Sequence, residues 1–320
     1  MTLFYIFLFI LSCIFLHYSS KLFVDGLVKI SRVLSLREFI VAFFVMAFSA
    51  SLPNLFLGIS SAISKIPQLS FGDVIGGNVV DLTLVIGLAT LFIKNGIPAE
   101  SRTVQKTALF TLISAILPLI LVLDGELSRI DGAILLLLLF FYMYWLFSKK
   151  ERFTRPYDGL EIDESKKISY LFKNISITIL GIIISLVSAH GIVLSAQYFA
   201  NTYNTQIGLI GLLIVGLVNC IPETYYAIMS AKKGETWMIL GDLMGSVIIA
   251  ATLVLGIVAL ICPIKIYDFS PYATARVFLI ISAIFFFLFL RTDRKLTNKE
   301  AIFLLSLYII YILIEGLIIR

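Results

Sequence analysis

Displaced by 169 residues, this sequence lies over itself without a gap, and the coinciding positions are the ones hardest to match by chance. Pro53 falls on Pro222 and Asn54 on Glu223. Phe71-Gly72-Asp73-Val74-Ile75-Gly76-Gly77 falls on Leu240-Gly241-Asp242-Leu243-Met244-Gly245-Ser246. Thr83-Leu84-Val85-Ile86-Gly87 falls on Thr252-Leu253-Val254-Leu255-Gly256, and Ser19 on Ser188. Apolar residues coincide readily anywhere, but shared Pro, Gly-Asp, Gly and Thr at a single offset do not. The chain is a duplication, so one half's fold must also suit the other.

Composition decides the solvent. Of 320 residues 60% are hydrophobic and 14% charged, with a mean hydropathy of +1.03. No water-soluble domain needs that much apolar surface, whereas spanning helices of about 20 residues do. Apolar runs near 3–20, 38–64, 70–93, 104–123, 130–148, 170–199, 206–231, 236–262, 272–291 and 300–318 give an all-α polytopic membrane protein with ten transmembrane helices. The first run, Leu3 to Leu16, lacks a basic flank and a small-residue cleavage site, so it reads as helix one and not as a removed signal. Residues 1–148 form one five-helix repeat, 149–168 a linker and 169–320 the other. An odd number of spans inserts the second copy upside down, which is the inverted-repeat plan of secondary transporters.

Basic residues alternate by loop. Nineteen lysines and arginines, Lys29, Lys94, Lys149 and Lys232 among them, fall on one side; Lys65, Arg129, Lys265 and Arg320 fall on the other. The positive-inside rule then places both termini outside the cell membrane and the 149–168 loop in the cytoplasm. This accounts for the net charge of +5 without invoking nucleic acid. The acidic residues of the linker, Asp158, Glu161, Asp163 and Glu164, lack the glycine and terminal glutamate of a calcium-binding loop and read as a solvated connection. Cys13, Cys220 and Cys262 are widely spaced and show no pairing pattern.

Two stretches break the apolar pattern: Val215-Gly216-Leu217-Val218-Asn219-Cys220-Ile221-Pro222-Glu223 and its mate Ala47-Phe48-Ser49-Ala50-Ser51-Leu52-Pro53-Asn54. A proline inside a span frees backbone carbonyls, tolerated there only beside protein or a water-lined cavity. Helices two and seven are therefore expected to be broken. On helix three, Asp73, Gly77 and Asp81 share a face at i, i+4 spacing, with Asn78 beside it; the mate stripe is Asp242, Ser246 and Ala250. The expected cation-binding groups are Glu223, Asp81, Asn54, Ser51, Asn219, Ser246 and Asn78, with freed carbonyls near Ala47 and Gly216. Secondary candidates are Asp73, Asp242, Ser49 and Cys220. Serines and asparagines in spans often serve packing, and Asp73 and Asp242, each following a glycine, are open to a helix-capping reading. Asp81 and Glu223 lie deeper, far in sequence from any basic residue, and a carboxylate at membrane depth is a functional candidate by default. The set is all oxygen and amide, which suits hard cations such as Ca²⁺, Na⁺ and Mg²⁺ better than zinc or copper.

At these motifs the sequence resembles the calcium/cation antiporter superfamily, which includes the sodium/calcium exchangers. The resemblance implies two inverted five-helix repeats, each with G-[TS]-S-x-P-E on its second helix and G-N-x-x-G-S-N-x-x-[ND] on its third. Departures are specific. Asn54 stands at a glutamate position and Asp81 at an amide position, Asn219 and Cys220 replace threonine and serine, and Gly77 and Ala250 have lost oxygen ligands. The implied metal pair is Glu223 with Asp81, one carboxylate having moved between neighbouring helices. The resemblance implies a secondary active antiporter exchanging Ca²⁺ or another hard divalent cation against H⁺ or Na⁺ by alternating access. It also implies no enzyme activity and no cofactor; the expected partners are inorganic cations and the lipid bilayer, and the expected functional state is a monomer.

Two rivals remain. A transporter of the same fold for a non-calcium solute would explain the altered motif. An intramembrane aspartyl protease would use Gly72-Asp73 and Gly241-Asp242, but no Tyr-Asp lies in a span. A metalloprotease lacks its H-E-x-x-H; the two histidines, His17 and His190, stand far apart.

Overall fold

In hydrocarbon every backbone amide has to be satisfied within its own segment, so the apolar runs fold as helices. A computed structural model describes residues 1–33, 51–148, 164–234, 236–266, 268, 270–292 and 294–318. Helix α1 is Thr2–Val33, α2 Leu52–Ile63, α3 Gln68–Leu91, α4 Arg102–Leu121 and α5 Arg129–Phe147. Helix α6 is Glu164–Tyr203 and α7 Ile207–Lys233; α8 starts as Thr236–Ile249 and runs on to Ile261; α9 is Ser270–Thr292 and α10 Asn298–Ile318. Among the described residues eight helices, α1 and α3 to α9, are long and apolar enough to cross a membrane. Of the other two expected spans, α2 is a short apolar helix and α10 carries Lys299, Glu300 and Glu315. Helices α1 and α6 outrun the apolar stretches that announced them. Charged residues such as Asp25 and Lys29 end the lipid-soluble part of a helix without breaking its hydrogen bonds.

Local features recur at the offset of the sequence repeat. Helix α3 passes through a π-helical turn at Asp81–Val85 and α8 through one at Ala250–Val254. Ser128 and Asp131 form a capping box at the start of α5, with Ser128 Oγ donating to Asp131 at 2.6 Å. Thr297 and Glu300 make the same bonds before α10, at 2.7 Å. Lys65 at φ 59° follows the end of α2, and Gly234 at φ 76° follows that of α7. Gly125 and Arg294, at φ 96° and 51°, turn the chain before α5 and α10. A left-handed residue is costly unless it is glycine, so the turn itself dictates the geometry and the basic residues accept it.

The halves are hooked together. Strand β1, Ile97–Pro98, pairs antiparallel with β4, Lys295–Leu296. Strand β2, Glu126–Leu127, pairs with β3, Ile264–Lys265. Helix packing follows the same exchange: α4 and α5 lean on α8, while α9 and α10 lean on α3. Helices α3 and α8 thus form the centre, and every residue from Leu69 to Val80 is buried. Helices α1 and α6 run antiparallel along each other, Tyr5 stacking on Tyr198 at 3.9 Å and Ser19 Oγ meeting Ser185 Oγ at 2.8 Å.

Candidate functional site

Proline sets the start of two helical segments. Pro53 and Pro222 each occupy the first turn, following Ser51 at φ −94°, ψ −1° and Cys220 at φ −84°, ψ −2°. Neither preceding side chain caps its helix, so both polar atoms are left for other use. In α7 the interruption is one residue wide. Cys220 alone separates Gly216–Asn219 from Ile221–Lys233, and its amide reaches Gly216 O at 3.3 Å and Leu217 O at 3.2 Å. The carbonyl singled out at Gly216 is therefore engaged; Pro222, having no N–H, leaves Val218 O without its usual donor four residues on.

Asn219 ties this turn to the core. Its Nδ2 donates to Asn54 Oδ1 at 3.0 Å and to Asp73 Oδ1 at 2.8 Å, using both amide protons to bridge α7, α2 and α3. Close approach makes the bridge possible. A Cβ on Gly76 would strike the backbone of Leu212 in α7, whose carbonyl carbon it would meet at 2.7 Å. The Cys220 thiol approaches Gly77 O at 3.5 Å and, with the Ser246 hydroxyl, faces the Asp81 carboxylate. Asp81 opens the π-helical turn; such turns recur at functional sites because they shift a side chain off the regular stripe.

Four carboxylates gather here. Asp73 and Asp81 are 0% and 3% exposed. Asp73 lies within electrostatic reach of Asp81, and Glu223 within reach of Asp81, Asp242 and Asp73. No lysine, arginine or histidine among the described residues faces them. Buried oxygens of Ser51, Asp73, Asp81 and Glu223, and Nδ2 of Asn78, have no hydrogen-bond partner among the described residues. Like charges brought together at this depth repel with little screening, so the cluster calls for positive charge. No three His, Cys, Asp or Glu among the described residues form a ready-made metal cluster. A cation here draws on one or two carboxylates together with amide and hydroxyl oxygens, the coordination that hard cations accept.

Much of the sequence-derived set converges on this one place: Asn54, Asn219 and Asp73 through hydrogen bonds, Asp81 with Cys220 and Ser246, and Glu223 within electrostatic reach of Asp81 and Asp73; Ser51 and Asn78, neighbours of these in sequence, are buried with unmatched polar atoms. Ala47 and Ser49 lie outside the described residues. The capping reading of Asp73 and Asp242 does not hold. Helix α3 begins at Gln68 after Pro67, and α8 at Thr236, so both aspartates sit beyond the first turn. Neither glycine ends its helix: Gly72 lies buried against the backbone of Gly208 and Leu212 in α7, whereas Gly241 is exposed with open space beside it.

A helical membrane protein with a buried carboxylate cluster and no basic partner for it among the described residues is suited to handling cations. The chain belongs to the sodium/calcium exchanger protein family, whose profile matches residues 4–148 and 173–316. It is 28% identical to an uncharacterized membrane protein of Methanocaldococcus jannaschii, covering 95% of each chain. It is 24% identical to the sodium/calcium exchanger MaX1 of Methanosarcina acetivorans, over 95% of this chain and 96% of that one. The structure matches the sodium-calcium exchanger NCX_Mj with a TM-score of 0.60 and 27% identity, over 98% and 99% of the two chains. Family and structural neighbours are transporters, so the protein is an antiporter-family membrane protein and not a protease.

Proposed function

We propose that this chain is a secondary active antiporter that exchanges Ca²⁺, or another hard divalent cation, against H⁺ or Na⁺. The observation that carries it is the cluster of Asp73, Asp81, Glu223 and Asp242, the first three with unmatched oxygens and none with a cationic side chain facing it among the described residues. A divalent ion neutralises part of that charge in one state of the cycle, and protons or sodium ions do so in the other. Asp81 and Glu223 are the metal-binding pair in this reading, with Asn54, Ser51, Asn219, Ser246 and Asn78 completing the oxygen set. Asp73 joins them, since Asn219 holds only one of its oxygens. The names of MaX1 and NCX_Mj as sodium/calcium exchangers favour the same ions. Oxygen ligands lost at Gly77 and Ala250 argue for fewer flanking sodium ions.

Ten spans in two inverted repeats, 1–148 and 169–320, joined by the cytoplasmic linker 149–168, put both termini outside. The support is the recurrence of π-turns, capping boxes and left-handed turns at one offset, with the crossed strand pairs. Alternating access would move α1 and α6, which pack along each other at the periphery, across the α2, α3, α7 and α8 centre as a unit within one monomer.

The deciding experiment is ⁴⁵Ca²⁺ uptake into proteoliposomes loaded with sodium or with acid, using Asp81→Asn and Glu223→Gln as controls. Uptake driven by either gradient and lost in both variants is expected. Absence of Ca²⁺, Mn²⁺ or Mg²⁺ movement under both gradients sinks the cation reading and leaves the non-calcium solute.

A further inference from the structure

One buried carboxylate takes no part in this centre. Glu315 of α10 is 2% exposed and stands one turn beyond Tyr311, which is 1% exposed. Glu315 Oε2 and the Tyr311 phenol oxygen have no hydrogen-bond partner among the described residues. Leu304, Tyr308, Tyr311 and Glu315 recur at intervals of four, three and four residues and so share one face of the helix. That helix packs on α9 and on the π-turn of α3. Phe278 of α9 packs on Tyr311 with ring centroids 5.5 Å apart, and the Tyr308 and Tyr311 rings are 6.2 Å apart.

The groups facing Glu315 are few. Thr274 of α9 approaches its carboxylate, and Tyr311 is the neighbouring polar group on its own helix. Arg276 follows Thr274 by two residues, about 200° around α9. No Lys, Arg or His among the described residues pairs with Glu315. At the inner end, Tyr308 comes within electrostatic reach of Cys220, which borders Asp81. Polar groups thus descend turn by turn, through otherwise aromatic packing, from the outer end of α10 to the cation centre.

One carboxylate and two kinds of hydroxyl are too few oxygens for Ca²⁺, which takes six to eight. They suffice for a proton. We propose that Glu315 is a proton-binding site separate from the cation centre, and that Tyr311 and Tyr308 relay protons between it and the Cys220 side of that centre. A hydronium ion gives its proton to the Glu315 carboxylate and leaves as water. The carboxyl proton then passes to the Tyr311 oxygen as Tyr311 releases its own toward Tyr308. Each phenol ends as it began, and nothing is oxidised or reduced. Ring separations beyond hydrogen-bond length require bridging waters. The relay rests on H⁺ being a coupling ion; the Glu315 site does not.

Two measurements separate these. Infrared difference spectra of the purified protein between acid and neutral pH are expected to show a carboxylic-acid band. One component of that band should be missing in Glu315→Gln, remain in Asp81→Asn/Glu223→Gln and ignore Ca²⁺. In acid-loaded proteoliposomes, Glu315→Gln and Tyr311→Phe should each slow Ca²⁺ uptake about tenfold or more, while the Ca²⁺-induced rise in melting temperature stays as in the wild type. Tyr311→Phe removes a hydroxyl that bonds nothing among the described residues, so its fold is retained. A band untouched by Glu315→Gln overturns the site. Acid-driven uptake equal to wild type in both variants overturns the relay. A wild type that ignores an acid load defeats H⁺ coupling and the relay together, while the infrared band still decides the Glu315 site.

Discussion

Adjacent glycines of α3 face different neighbours, and replacing each by alanine separates packing from propensity. On Gly76 a Cβ would meet backbone of α7: the Leu212 carbonyl carbon at 2.7 Å and its Cα at 3.0 Å, besides the carbonyl oxygen itself. Backbone cannot swing aside as a side chain can, so the overpacking cost lies near the upper end of the usual range, about 3 kcal/mol. Alanine returns about 1 kcal/mol of helix propensity, leaving a net loss of about 2 kcal/mol. On Gly77 the nearest atoms are Cys220 Sγ at 3.6 Å and Gly216 O at 3.9 Å, ordinary van der Waals contacts. Gly77→Ala therefore keeps the propensity gain of about 1 kcal/mol. At about 2 °C per kcal/mol for a chain of this size, Gly76→Ala should melt about 4 °C below the wild type and Gly77→Ala about 2 °C above it. Thermal unfolding in detergent, followed by fluorescence of a thiol-independent probe, reads both. Equal shifts, or the reverse order, would refute the close α3–α7 contact.

Other consequences are as direct. Asn219→Ala strips the donor from Asn54 Oδ1 and Asp73 Oδ1; the unmet acceptors cost about 1–3 kcal/mol, visible as a melting point several degrees lower. Ser128→Ala and Thr297→Ala each remove a matching capping box and should cost about 1 kcal/mol apiece; they share no partner, so the double variant should lose the sum. Saturating Ca²⁺ at about 100 times its Kd should stabilise the wild type by about 2.7 kcal/mol, a rise that Glu223→Gln abolishes; an unchanged rise would remove Glu223 from the site.

Much of this was legible in the sequence because the bilayer demands it. Long apolar runs locate helices that have no other way to satisfy their backbone, and Pro53 and Pro222 mark two of the helix starts around the centre. Asp81, Glu223, Asn219 and Asn54 stood out because polar groups are rare at that depth. Other features left no trace. A π-turn changes hydrogen bonding without changing composition, so nothing set Asp81–Val85 apart. Two-residue strands are too short for alternation to register, and β1 to β4 were invisible. For Asp73 the sequence supports two readings, a helix cap because it follows a glycine and a shared face with Asp81 two turns on; the helix start at Gln68 removes the first. Glu315 escaped notice near the end of the last apolar run, where a carboxylate looks like the edge of a span. Only its partners on α9 show that it is buried.

The crossed strand pairs have a consequence for biosynthesis. Strand β2 ends at Leu127, and its partner β3 begins at Ile264. Roughly 140 residues separate them, so at about 5–20 residues per second the ribosome delivers the partner roughly 7–28 s later. Through that interval the first half waits in the bilayer with α4 and α5 lacking the helix they lean on and its strand edge unmatched. It is half of an interlocked object, not a domain awaiting a neighbour. A first half made alone has nothing to complete it except another copy, whereas two halves made as separate chains carry everything needed to find each other.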